Sequence, residues 1–102
     1  MVIKTNDKIK MIQLFIKDHI EEISGKNIPK GDRELSYSMI HDEVTTLIKY
    51  YNESQDSQHR NFLTKTLLEV QDELFNYLAR VNCEDKQILA IYKILVSAIY
   101  NI

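Results

Sequence analysis

Only three residues of this chain are strong helix breakers, and all three fall in one short window: Gly25, Pro29 and Gly31. Elsewhere the chain contains neither glycine nor proline. An all-β domain needs a turn signal about every 8–12 residues, and this distribution cannot supply them. The chain must therefore run in long uninterrupted segments, which for a water-exposed backbone means helices. At 102 residues it holds one domain, 1–102. A hydrophobic content of 44% against 27% charged residues places it well away from the disordered regime.

The apolar pattern divides these segments into four. Ile9, Ile12, Ile16, Ile20 and Ile23 recur at steps of three and four, the period of one helix face. Thr5, Asn6 and Asp7 offer N-cap candidates for this helix, and Gly25 stands where a C′ glycine belongs. After the breaker window Asp32 is the cap candidate for a second helix, carrying Leu35, Met39 or Ile40, Val44, Leu47, Ile48 and Tyr51. The polar run Asn52–Gln58 then reads as a loop in which Asp56 or Ser57 caps the next helix, and one continuous helix through this point is the alternative. The third helix shows Leu63, Leu67, Val70, Leu74, Tyr77 or Leu78, and Val81. Asn82-Cys83-Glu84-Asp85 supplies a cap and early negative charge for a fourth, whose face is Ile88, Ile91, Tyr92, Leu95, Ile99 and Ile102. Four amphipathic helices with short connections pack around a shared core. The expected fold is all-α, a single antiparallel four-helix bundle.

Charge and cysteine content remove several function classes. Residues 1–26 carry five positive and four negative charges, 27–53 three and five, and 54–102 five and six. No segment is strongly basic, so nothing marks a nucleic-acid footprint. Cys83 is the only cysteine and cannot staple the fold, and the first residues lack the basic start and apolar run of a signal peptide. A cytoplasmic protein is the expectation. The most apolar stretch, 88–102, has fifteen residues with Lys93 inside it. A spanning helix needs roughly twenty apolar residues, so no membrane span is expected.

Nor does a catalytic or metal constellation stand out. His19, His41 and His59 lie on three different elements, and no two show the spacing of a helical zinc site. Asp56 and His59 are three apart, at a helix start where a capping interaction is the simpler reading. Histidine phosphotransfer domains follow their histidine with lysine and glycine. Here acidic residues follow His19 and His41, and His59-Arg60 lacks the glycine. Glu21-Glu22, Asp42-Glu43 and Asp72-Glu73 are adjacent pairs, which a helix points about 100° apart rather than onto one substrate atom. Glu84 and Asp85 beside Cys83 work against a reactive thiolate, and two distant glycines make no phosphate loop. No metal, no cofactor and no enzymatic activity are expected.

What remains is hydrophobic excess. The fourth helix is apolar over most of its circumference, and the first is similarly broad at Met11, Ile12, Leu14, Phe15 and Ile16. Either these helices sit centrally and are more deeply buried, or they present an apolar patch to a partner. If Ile88, Tyr92, Leu95 and Ile99 form the core stripe of the fourth helix, then Leu89, Val96 and Tyr100 lie nearer its flank. Leu89, Tyr92, Val96 and Tyr100 are the candidate partner-binding residues. Six tyrosines favour a recognition surface.

The segments Phe62–Leu78 and Glu84–Leu95, set in a four-helix chain of this length, resemble the immunity proteins of class IIa (pediocin-like) bacteriocins, the enterocin A immunity type in particular. The likeness is one of architecture and helix pattern and carries no single motif residue. It implies a non-enzymatic protector of the producer cell, conferring antimicrobial resistance from the cytosolic side. Its implied partner is a bacteriocin–mannose permease assembly at the inner membrane face, and its specificity would lie largely in the C-terminal half, roughly Gln58–Ile102. Family members with a polar tail after the last helix differ from this chain, which ends within its apolar pattern. A small helical regulator docking on a cytosolic toxin or transcription factor is the second expectation.

Overall fold

The computed structural model describes residues 5–25 and 27–101. Four helices account for nearly all of them: α1 (Thr5–Ile23), α2 (Lys30–Glu53), α3 (Ser57–Arg80) and α4 (Lys86–Tyr100). The expected all-α four-helix bundle is the observed fold. Cross-helix contacts give its sense. Glu22 meets Ser36 and His19 meets Glu43, so α1 and α2 run antiparallel. Phe75 meets Tyr92 and Gln71 meets Tyr100, so α3 and α4 do too. Helix α1 packs on α2 and α3, and α4 packs on α3 and α2.

The core is built from one stripe per helix. Ile9, Ile16, Ile20 and Ile23 come from α1; Ile40, Val44 and Leu47 from α2; Leu63, Leu67, Val70, Leu74, Tyr77 and Leu78 from α3; Ile88, Ile91 and Leu95 from α4. Ile12, Ile48, Tyr51, Val81, Tyr92 and Ile99 are only partly buried around it. Helix α2 departs furthest from expectation. Its buried line starts at Ser36 rather than Leu35, which is 60% exposed, and Ile40 rather than Met39 enters the core. Ser36 is tolerated there because its hydroxyl donates to the Glu22 carboxylate at 3.0 Å. Ile102 lies outside the described residues.

The helix ends explain several other departures. Pro29, not Asp32, is the N-cap of α2, and it makes no side-chain cap bond. Pro29 itself holds the extended N-cap geometry, φ −60° and ψ 148°, so the helix starts at Lys30 and Asp32 lies inside the first turn, where its charge still favours the positive helix end. Asn6 and Asp7 likewise lie within α1 rather than capping it, and the residue before Thr5 lies outside the described residues. Gly25 follows the end of α1, but its φ is not positive, so it is no left-handed C′ glycine. Gly31, expected to break the chain, sits inside α2. A Cβ added at Gly31 meets nothing within 4 Å. Gly31→Ala should therefore raise stability by about 0.4–1 kcal/mol through the unfolded chain alone, read as a higher denaturant midpoint with an unchanged slope.

The break between α2 and α3 is real and short, only Ser54–Asp56. Asp56 is its cap, its side chain accepting from the Gln58 amide at 3.0 Å. It is this amide, and not His59, that engages the Asp56 carboxylate, because a capping oxygen reaches the second amide of the helix first. Helix α3 closes on a Schellman turn. The Cys83 amide donates to Leu78 O at 2.8 Å, the Asn82 amide donates to Ala79 O at 3.3 Å, and Asn82 takes the left-handed C′ conformation with φ 54°.

Candidate functional site

Helices α3 and α4 share a flank that the core does not consume. On α4, Leu89, Tyr92 and Val96 are half-buried and Tyr100 is 52% exposed. Steps of three and four set them along one side of the helix, beside the buried Ile88, Ile91 and Leu95. On α3, Leu68 and Phe75 are exposed two turns apart along one line of the helix, and Phe75, 55% exposed, meets Tyr92 of α4. The Phe75 and Tyr92 rings stand 6.3 Å apart at 42°, a tilted aromatic pair. Further along, the Tyr100 hydroxyl donates to Gln71 Oε1 at 3.4 Å. The result is a ridge of aromatic and aliphatic side chains along the α3–α4 seam.

All four sequence-predicted residues thus fall on one side of α4. Leu68 and Phe75 escaped the sequence reading, although the signal was present. Leu63, Leu67, Val70 and Leu74 already complete the α3 core stripe, so an apolar pair seven residues apart outside it marks a second apolar line. The apolar breadth of α1 divides: Ile16 is buried and Ile12 half-buried, whereas Met11, Leu14 and Phe15 are exposed.

One partly buried polar clasp ties the start of α4 to the other helices. Asp85 caps α4, accepting from the Ile88 amide with Oδ1 at 3.2 Å. Its Oδ2 accepts two tyrosine hydroxyls, Tyr77 of α3 at 2.6 Å and Tyr37 of α2 at 2.7 Å. Arg33 completes the clasp, its Nη1 donating to Ile23 O at 2.9 Å and to the Tyr37 hydroxyl at 3.5 Å. One carboxylate thereby ties three helices, and the guanidinium carries the tie on to the end of α1.

Burial pushes the Tyr77 hydroxyl well above the ordinary tyrosine range, and its bond to the Asp85 carboxylate pushes it further. Burial also raises Tyr37, against the opposing effect of its bond to Arg33. A group whose folded pKa is raised contributes stability that is whole below its unfolded pKa, about 10 for tyrosine, and lost as pH climbs above it. Urea midpoints should accordingly hold steady up to about pH 9.5 and fall between there and pH 11, and Tyr77→Phe should flatten the fall.

Chemistry elsewhere is sparse. His19 lies between two carboxylates, with Nδ1 3.4 Å from Glu22 and Nε2 3.6 Å from Glu43. Glu43 turns inward, so that burial raises its pKa while His19 opposes the rise, and its Oε2 is buried without a partner. His41 is exposed beside Asp42. Two of the adjacent carboxylate pairs diverge: Glu43 turns in while Asp42 stays exposed, and Glu22 binds Ser36 while Glu21 faces the α1–α3 groove, whereas Asp72 and Glu73 both line that groove. Glu73, raised by burial, lines the α1–α3 groove with Glu21, Glu69 and Asp72. Among the described residues no group of three histidine, cysteine or acidic side chains could hold a metal ion. No described helix is long and apolar enough to cross a membrane. The arrangement that gathers the most exposed and half-buried apolar side chains beside the predicted residues is the α3–α4 ridge.

Comparison with protein-family models, curated proteins and solved structures finds no match to this chain.

Proposed function

We propose that this protein is a non-enzymatic immunity protein that protects a cell from a pediocin-like bacteriocin, with the α3–α4 ridge as its working surface. In this reading it acts in the cytoplasm, contacting the bacteriocin–mannose permease assembly from the inner membrane face. The observation that carries the reading is the ridge itself: Leu68, Phe75, Tyr92 and Tyr100 gathered on the C-terminal helix pair of a four-helix bundle. The resemblance of Phe62–Leu78 and Glu84–Leu95 to the immunity family supports it, because in that family the C-terminal half sets specificity. Apolar side chains left half-exposed on a bundle flank gain by being covered, at roughly 25 cal/mol per Å² of apolar area.

The test is expression in a bacterium sensitive to class IIa bacteriocins. Tolerance should rise toward one peptide or a narrow group, and the peptide should be recovered intact from the culture. Unchanged sensitivity to a broad class IIa panel would overturn the reading and leave a helical regulator of a cytosolic protein in its place.

A further inference from the structure

The seam between α1 and α2 holds a histidine between two carboxylates. The His19 side chain is only 14% exposed, with Nδ1 3.4 Å from Glu22 of its own helix and Nε2 3.6 Å from Glu43 of α2. The Glu43 side chain is nearly as enclosed, at 16%, and its Oε2 is buried with no hydrogen-bond partner. Ser36, itself buried, donates its hydroxyl to the same Glu22 oxygen that faces His19.

This cluster is one proton short. A neutral imidazole carries a single N–H, and its other nitrogen is an acceptor. With a carboxylate facing each nitrogen, a neutral ring donates to one and turns a lone pair toward the other. Glu22 already accepts from Ser36, so the shortage falls hardest on Glu43. One added proton relieves it wherever that proton settles. On the ring it makes both contacts charge-assisted, and on Glu43 it removes a poorly solvated negative charge.

The surroundings offer no other relief. Asp42, beside Glu43 on α2, adds a like charge, and Asp32 lines the same α1–α2 groove as His19 and Glu22. His41 stands on the exposed side against Asp42. Among the described residues no lysine or arginine forms an ion pair with Glu22 or Glu43. Burial raises the Glu43 carboxyl from its ordinary value, with His19 opposing the rise and Asp42 adding to it.

We propose that His19, Glu22 and Glu43 form a proton-operated latch between α1 and α2, which tightens when the cluster takes up one proton in mild acid. A carboxyl raised in the folded state contributes stability that is whole below its unfolded pKa, about 4.3 for glutamate, and lost as pH rises through the folded value. The latch therefore strengthens as pH falls from about 7.5 toward 5. From about pH 8 the profile is level until the tyrosine clasp titrates. Glu73 is raised as well, so the latch is read from the difference between variants.

The test is a set of urea melts of the full chain between about pH 7.5 and 5. The parent's folding constant should rise several-fold across this range, under the limit of about tenfold per pH unit that one proton sets. Glu43→Gln removes the charge and brings its own N–H donors. It should be more stable than the parent at the upper pH and lose most of the parent's rise. His41→Gln, on the exposed side, should keep the rise. A parent that gains nothing toward acid, a Glu43→Gln chain less stable than the parent at the upper pH, or one that keeps the parent's full rise would each overturn the proposal. Loss of the rise in His41→Gln would overturn it too, because the proton would then belong to that exposed ring.

Discussion

Asp85→Ala should destabilise the protein by about 3–5 kcal/mol, a large share of the 5–15 kcal/mol that holds a domain together. Three losses combine. The N-cap bond to Ile88 is worth about 1 kcal/mol. The two tyrosine hydroxyls lose a charged acceptor, each such bond contributing about 1.5–3 kcal/mol. Tyr77, only 3% exposed, cannot turn its hydroxyl to bulk water in compensation, while Tyr37 is half-buried and recovers part of its loss. Asp85→Asn separates the contributions, because it keeps a capping oxygen and removes the charge. Its cost should fall between that of the parent and that of the alanine variant in urea melts at pH 7.

The second large effect concerns the register of α4. Leu95 is fully buried and its neighbour Ile94 is 41% exposed. Leu95→Ala should cost about 2–5 kcal/mol, the lost transfer energy plus a cavity among Leu, Ile and Val neighbours. Ile94→Ala should cost under about 1 kcal/mol. A rotation of α4 by one residue would reverse the order of these two losses, so the pair reports directly on which side of the helix faces the core.

The fold was legible in the sequence where local chemistry decides it. Isoleucines at helical steps define α1, and Asp56 caps α3 as its position before an apolar run suggests. Leu35 was misplaced because α2 has a weak apolar stripe, in which the polar Ser36 takes a core position through Glu22, a residue of another helix. Gly31 was misread because glycine breaks a helix interior more than it disturbs the first turn, where Pro29 had already set the chain direction. The clasp was invisible for a different reason. Tyr37 and Asp85 are separated by 48 positions, and no periodicity records which side chains meet when α2 and α4 come together. The α4 part of the candidate site, Leu89, Tyr92, Val96 and Tyr100, could be read from that helix alone. Leu68 and Phe75 needed the position of α4 against α3 before their exposure acquired a meaning.

The central claim is that the α3–α4 ridge does the protein's work, and one measurement addresses it most directly. Phe75→Lys and Tyr100→Lys, combined in one chain, place two charges on the ridge at positions 55% and 52% exposed. Substitutions at such positions should cost under about 1 kcal/mol in total, whereas an apolar contact made there would be abolished. Sensitive cells expressing this variant should be as vulnerable to the bacteriocin as cells without the protein, although its level and melting temperature match the parent's. Full protection by a folded variant carrying both lysines would contradict the account.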